Sequence, residues 1–265
     1  MLVLKQIIAI LILLMLSVPM GVNALPPRYA VPQGQALILS SLNETEPMGQ
    51  YGKDAVWYLT HAGYNVTYLN DGRVTVDLIL NQIKNYNIVI WRTDSYTWKH
   101  TEYWWVGENI NDGVQDEYPV DFAQGWLNAN TGIVGASAEF FTNRLAPNTL
   151  SHVSLLMFLS SDGDAIAPMF VTAGVSSVIY CNGSISLEFG LIDDLTIQMI
   201  AYLTQGESVY SAVFNTVSPF NQGQEPKDPL DTSYAPPFWY IGNGAVTIAA
   251  SIRETPRIGF SGSLR

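Results

Sequence analysis

Short apolar runs alternate with amphipathic stretches along this chain, and that alternation limits the fold more than any other feature. "ALILS" (Ala36–Ser40), "YNVTYL" (Tyr64–Leu69), "NIVIW" (Asn87–Trp91), "VSLLMFLS" (Val153–Ser160) and "SSVIYC" (Ser176–Cys181) are blocks of strand length. Such blocks suit strands buried on both faces. Between them, apolar residues recur at helical spacing. Ala55, Leu59 and Ala62 form one face; Val76, Ile79, Leu80 and Ile83 a second; Ile166, Met169, Phe170 and Ala173 a third; Ile192, Leu195, Met199 and Leu203 a fourth. Gly63, Gly174 and Gly206 stand where helices would stop. Val209, Ala212 and Val213 continue into a short helix. The alternation predicts an α/β fold: a doubly wound, mostly parallel sheet with helices on both faces, a three-layer sandwich. A Pro-rich loop (Ser218–Pro237) leads to "AVTIAASI", the expected last strand.

The first 24 residues read as a signal peptide, the alternative being an uncleaved anchor. Lys5 is a short positive start, Ile7–Val18 an apolar stretch of signal-peptide length, and Val22-Asn23-Ala24 a small-x-small cleavage site. Residues 25–265 would then be one secreted or cell-surface domain with no transmembrane segment. The formal net charge is −11, and losing Lys5 with the leader makes the mature chain more acidic still. That balance excludes nucleic acid as a partner, because phosphates are held by Lys and Arg. With a single cysteine, Cys181, no intrachain disulfide can form, and stability falls to a core that 48% hydrophobic residues can supply. Asn43, Asn65 and Asn182 lie in Asn-x-Ser/Thr triplets, glycosylation candidates in a host that glycosylates.

In a doubly wound sheet, ligands sit outside the carboxyl ends of the strands. Those ends carry Ser41–Thr45, Asp94, Asp162–Asp164 and Cys181–Ser186. Asp94 with Asp162 and Asp164 could form a carboxylate pair for acid/base hydrolysis. Asp162 and Asp164 could bind Ca²⁺ through hard oxygen ligands. The same residues could simply cap loops and helix starts, Asp164 being placed to cap the helix after it. Cys181 suits a buried small hydrophobe, or a nucleophile paired with His100. Ser160 and Ser161 lack the Gly-x-Ser-x-Gly elbow of a serine nucleophile. No cofactor motif is present, and a hard cation, Ca²⁺ or Mg²⁺, is what the acids suit.

Residues 96–150 read as a long, irregular aromatic and acidic insertion after the third strand. Its Trp98, Trp104 and Trp105 could stack on sugar rings or a partner's side chains, or pack the insertion onto the domain. "NDGVQDEYPVD", with Asp112, Asp116, Glu117 and Asp121, reads as a solvated loop rather than a calcium site.

The segment from Leu155 to Val213 resembles the second half of a caspase-like peptidase domain, closest to its CHAT-like, clostripain-like and gingipain-like branches. It holds an apolar strand ending at the nucleophile position ("FLSSDGD"), "TAGV" (Thr172–Val175), "SVIY" (Ser177–Tyr180), and a helix near Asp193-Asp194 closed by Gly206. Upstream, "NIVIWRTDS" resembles the strand bearing that family's histidine, and "APPFWYIGNGAVTI" the aromatic segment before its closing strand. The likeness covers about two thirds of the mature chain. It implies a caspase-like architecture with a cleft at the strand ends. It also puts Asp94 at the histidine position, and Asp162, or Ser160 or Ser161 in a shifted register, at the cysteine position. Those residues supply neither thiolate nor imidazole. The expectation is therefore a domain without peptidase activity that binds a protein or peptide in the cleft. The alternatives are a secreted hydrolase with a relocated Cys181–His100 dyad or working Asp residues, and a glutamine-amidotransferase-like α/β domain.

Overall fold

The computed structural model describes residues 33–42, 49–110, 113–181, 189–218 and 238–248. The expected signal peptide, Asn43, Asn182, Asp112, most of the Pro-rich loop and the end of "AVTIAASI" lie outside them. Strands β1 (Gly34–Ser40), β2 (Tyr64–Asn70) and β3 (Ile88–Arg92) are separated by helix α1 (Gly49–His61) and by tight turns over 71–85. Then come β4 (Ser95–Trp98), β5 (Thr101–Asn109), α2 (Val114–Glu117), α3 (Pro119–Ala123), β6 (Leu127–Asn128), β7 (Ile133–Ser137) and α4 (Ala138–Arg144). The last part holds β8 (Leu155–Leu159), α5 (Ala167–Thr172), β9 (Ser177–Cys181), α6 (Phe189–Thr204), α7 (Val209–Val217) and β10 (Phe238–Gly242).

The strands make a six-stranded sheet in the order β10-β9-β8-β3-β1-β2 and a separate four-stranded sheet in the order β4-β5-β7-β6. In the first, β1, β2, β3, β8 and β9 pair in parallel and β10 joins β9 antiparallel. The α/β, mostly parallel expectation holds. Every residue of β3 and β8 is buried, as uninterrupted Val/Ile/Leu runs require when both faces are covered.

Alternation along those strands splits the core in two. Ala36, Ile38, Ile88, Ile90, Leu155 and Met157 pack against α1, α6 and α7. Leu37, Leu39, Val89, Trp91, Leu156 and Phe158 face α5, α4 and the inner side of the second sheet. Trp91 sits there among Phe158 (ring centroids 5.2 Å), Phe141 (6.1 Å) and Phe170 (6.4 Å). Each such side chain contributes about 1.5–3 kcal/mol by leaving water.

Three local expectations change. Residues 96–150 are not irregular, because an antiparallel sheet carries them. Val76, Ile79 and Ile83 are buried as expected, but Ile79 lies on a π turn (Leu78–Gln82) and Ile83 on a 3-10 turn (Ile83–Asn85) rather than on a regular α-helix. There the Asp77 carboxylate accepts from the side chains of Asn81 (2.7 Å) and Gln82 (2.9 Å). The last strand among the described residues is β10, and Ala245–Ile248 follow it without strand pairing. Val246 instead ties back to α7, its carbonyl accepting from Val209 N at 2.8 Å.

Candidate functional site

Parallel pairing of β3 with β8, Arg92 opposite Leu159, brings the ends of these two strands side by side. Asp94 and Asp162, far apart in sequence, therefore join one polar cluster. Ser161 Oγ lies 3.2 Å from Asp94 Oδ1 and 3.1 Å from Asp162 Oδ2. Ser95 Oγ donates to Asp162 Oδ2 at 2.8 Å and lies 3.2 Å from Ser161 Oγ. Ser95 N–H donates to Asp94 Oδ1 at 2.9 Å.

The cluster has a member that sequence reasoning missed, Glu102. In the β4–β5 ribbon Ser95 pairs with Trp104 and Thr97 with Glu102. Residues i and i+2 share a face, so Glu102 turns to the same side as Trp104, which is 1% exposed in the core. Burial, and then a hydrogen bond with Asp162, push the Glu102 carboxyl up to about 7, although Ser95 donates to it. Three carboxylates (Asp94, Asp162, Glu102) thus gather around the Ser95 and Ser161 hydroxyls. The period-two pattern in "TEYWW" was the available signal, but its aromatics masked it.

Neither aspartate caps a helix. Asp162 precedes the 3-10 turn Gly163–Ala165 without a side-chain cap bond, since Ser95 and Ser161 occupy its carboxylate, and exposed Asp164 lies within that turn. The helix after it, α5, also starts without a side-chain cap. Among the described residues no group of three or more His, Cys, Asp or Glu side chains is placed to hold a metal ion.

A second polar group lies on the α1/α6 side of the same strand ends. Ser40 pairs with Arg92 in register, and alternation turns both, with Cys181, toward that side. Arg92 is buried and donates from Nε to Asp193 Oδ1 of α6 at 2.8 Å and from Nη2 to Oδ2 at 3.1 Å. The Tyr51 hydroxyl of α1 is buried beside this pair, and burial and the Asp193 carboxylate raise its pKa strongly. Ser40 Oγ and Tyr51 OH have no hydrogen-bond partner among the described residues. The Cys181 thiol, also beside Asp193, is pushed up by burial to about 12.

The remaining candidates do not gather. His100 stands exposed in the tight β4–β5 turn, with φ +68° following Lys99 at +48°, while Cys181 is 2% exposed. No hydrogen bond links them among the described residues. Trp98 is exposed near the same tip, with the Lys99 ammonium 5.8 Å from its ring. Trp104 lies in the core, and Trp105 lies on the opposite face beside Tyr96 (6.1 Å). The three tryptophans thus form no single platform. Asn65 is exposed on β2, its amide donating to Gln35 Oε1 at 3.0 Å. The acidic loop also divides: Asp116 and Glu117 are exposed, but Asp121 is fully buried and paired with Arg144.

Comparison with known proteins found no matching family model and no matching curated relative. No helix among the described residues is long and apolar enough to cross a membrane.

Proposed function

We propose that the chain is an exported caspase-like domain without peptidase activity, serving as a binding or scaffolding protein at the cell surface. It would take a protein or peptide segment at the strand ends. One observation carries this reading. The strands that resemble the family's histidine and cysteine strands are parallel neighbours, and their ends carry Asp94, Ser161 and Asp162 in one hydrogen-bonded cluster. No thiol or imidazole belongs to it. A neutral thiol buried at Cys181 is a poor nucleophile. The cluster instead offers hydroxyls and carboxylates that can hydrogen-bond an extended backbone or a basic side chain.

The test is to present a random peptide library to the purified mature chain, reading binding by display enrichment and cleavage by mass spectrometry. Saturable binding without cleavage is expected. It should weaken about tenfold or more in Ser161→Ala and Asp162→Asn, each removing a hydrogen-bonding group. Cleavage abolished by Asp162→Asn, or no enrichment at all, would overturn the reading.

One observation favours the hydrolase alternative. Ser161 Oγ lies between two carboxylates, close to a third whose proton leaves near neutrality. A carboxylate with a pKa close to working pH suits general-base catalysis. On this reading, hydrolysis would rise through about pH 7 and vanish in Glu102→Gln.

A further inference from the structure

We propose that the open groove between α1 and the edge strand β2 binds an acidic sugar, with the ring of a uronic acid lying against Trp57. The groove is about 710 Å³ and is lined by Lys53, Trp57, His61, Tyr68 and Asn70 among others. That is within the common size of small-ligand sites, roughly 300–1,000 Å³.

Trp57 is a prepared platform. Its side chain is 53% exposed, but its ring is held from two sides. The His61 ring lies 4.0 Å from it, and Tyr58 meets it edge-on at 4.9 Å. His61 Nδ1 is 2.8 Å from the Trp57 carbonyl oxygen. A carbonyl can only accept, so Nδ1 carries the proton, the imidazole is fixed, and Nε2 is left for another partner. A rigid aromatic surface loses little entropy when an apolar ring face settles on it.

Charge selects an anion. Lys53 stands one helical turn before Trp57 and makes no ion pair among the described residues. The adjacent acid, Asp54, accepts instead from Gln50 Nε2 at 2.7 Å. Among the described residues no carboxylate lines the groove, although the chain as a whole carries a net charge of −11. Lys53 is thus the charged side chain that the described lining offers a ligand. Polar atoms then select a polyol. Asn70 Oδ1 accepts from the Arg73 guanidinium, which leaves the Asn70 amide N–H groups to donate. An open groove leaves one ligand face in water, which a hydroxylated ring tolerates better than a flat apolar one.

The test is isothermal titration of the mature chain with trigalacturonate and, as the neutral control, maltotriose. Saturable binding of trigalacturonate is expected, at least tenfold tighter than any binding of maltotriose and weaker as salt rises. Trp57→Ala should abolish it, and Lys53→Gln should weaken it about tenfold and remove most of its salt dependence. Both side chains are on the surface, and unchanged urea midpoints would establish that the variants fold. Ser161→Ala should leave this binding intact, which separates it from the strand-end cluster. Equal affinity for maltotriose, undiminished binding by Trp57→Ala, or no binding by the wild type would each overturn the proposal. So would Trp57-dependent binding of hexaglutamate with none of trigalacturonate, which would assign the groove to acidic peptides.

Discussion

Arg92 on β3 and Asp193 on α6 are joined by two parallel hydrogen bonds across 101 positions of sequence. Arg92 is 1% exposed and Asp193 13%. A forked pair of this kind fixes orientation as well as charge. It ties α6 to the centre of the sheet at the level of the strand ends. Removing one partner strands the other charge, which typically costs about 3–5 kcal/mol. Arg92→Met should lose stability of that order in urea unfolding. Arg92→Met with Asp193→Leu should recover most of the loss, because two apolar side chains leave no charge behind. A single variant as stable as wild type would mean the pair does not anchor the helix.

Glu102 predicts a pH dependence. Its carboxyl is raised from the ordinary value to about 7 in the fold, so the folded state holds a proton that the unfolded chain releases earlier. Folding stability should therefore fall as pH rises from about 4.5 to 7 and level off above that. Glu102→Gln keeps the hydrogen-bonding shape without the titration and should flatten this part of the curve. Melting temperatures of both proteins across that range would decide. A wild-type curve parallel to that of the variant would mean that Glu102 does not titrate in this range.

Burial of Cys181 and its raised pKa predict slow reaction with thiol reagents. At pH 8 the native chain should react with iodoacetamide at least a hundredfold more slowly than the urea-unfolded chain, because only an exposed thiolate attacks. Equal rates, followed by mass spectrometry, would return Cys181 to the list of nucleophiles.

Lys99 and His100 occupy left-handed backbone at the β4–β5 turn, with φ of +48° and +68°. Asn-Gly suits such positions far better. Lys99→Asn with His100→Gly should therefore stabilise the fold by about 0.5–1 kcal/mol, read by thermal unfolding. Any hydrolytic activity should survive His100→Gly. Its loss with the fold intact would restore His100 to a catalytic role.

Gly163 lets the turn carrying Asp162 press against β9. A Cβ there would stand 3.0 Å from both Cys181 O and Tyr180 Cβ. Gly163→Ala should cost about 1–3 kcal/mol, by overpacking. It should also weaken peptide binding at the cluster, through displacement of Asp162. Unchanged stability and binding would show that the turn is not set by this contact.

Local periodicity determined the strands, the helix faces over Ala55–Leu59 and Ile192–Leu203, and the mostly parallel sheet, because continuous apolar blocks and 3.6-residue spacing are satisfied within a few turns of chain. It even placed Asp94 and Asp162 at strand ends. It misread residues 96–150, where an antiparallel sheet with one face in the core leaves only a period-two pattern, hidden among aromatics. Partnership was decided by tertiary structure alone. Glu102 joins Asp162 because β4 and β5 pair in one register, and a slip of one residue would have turned Glu102 outward. Trp104 enters the core and Trp105 does not for the same reason. Arg92 finds Asp193 only once β3 and α6 pack. Sequence fixes which face a residue takes within its element, while pairing and packing between distant elements decide what that face meets.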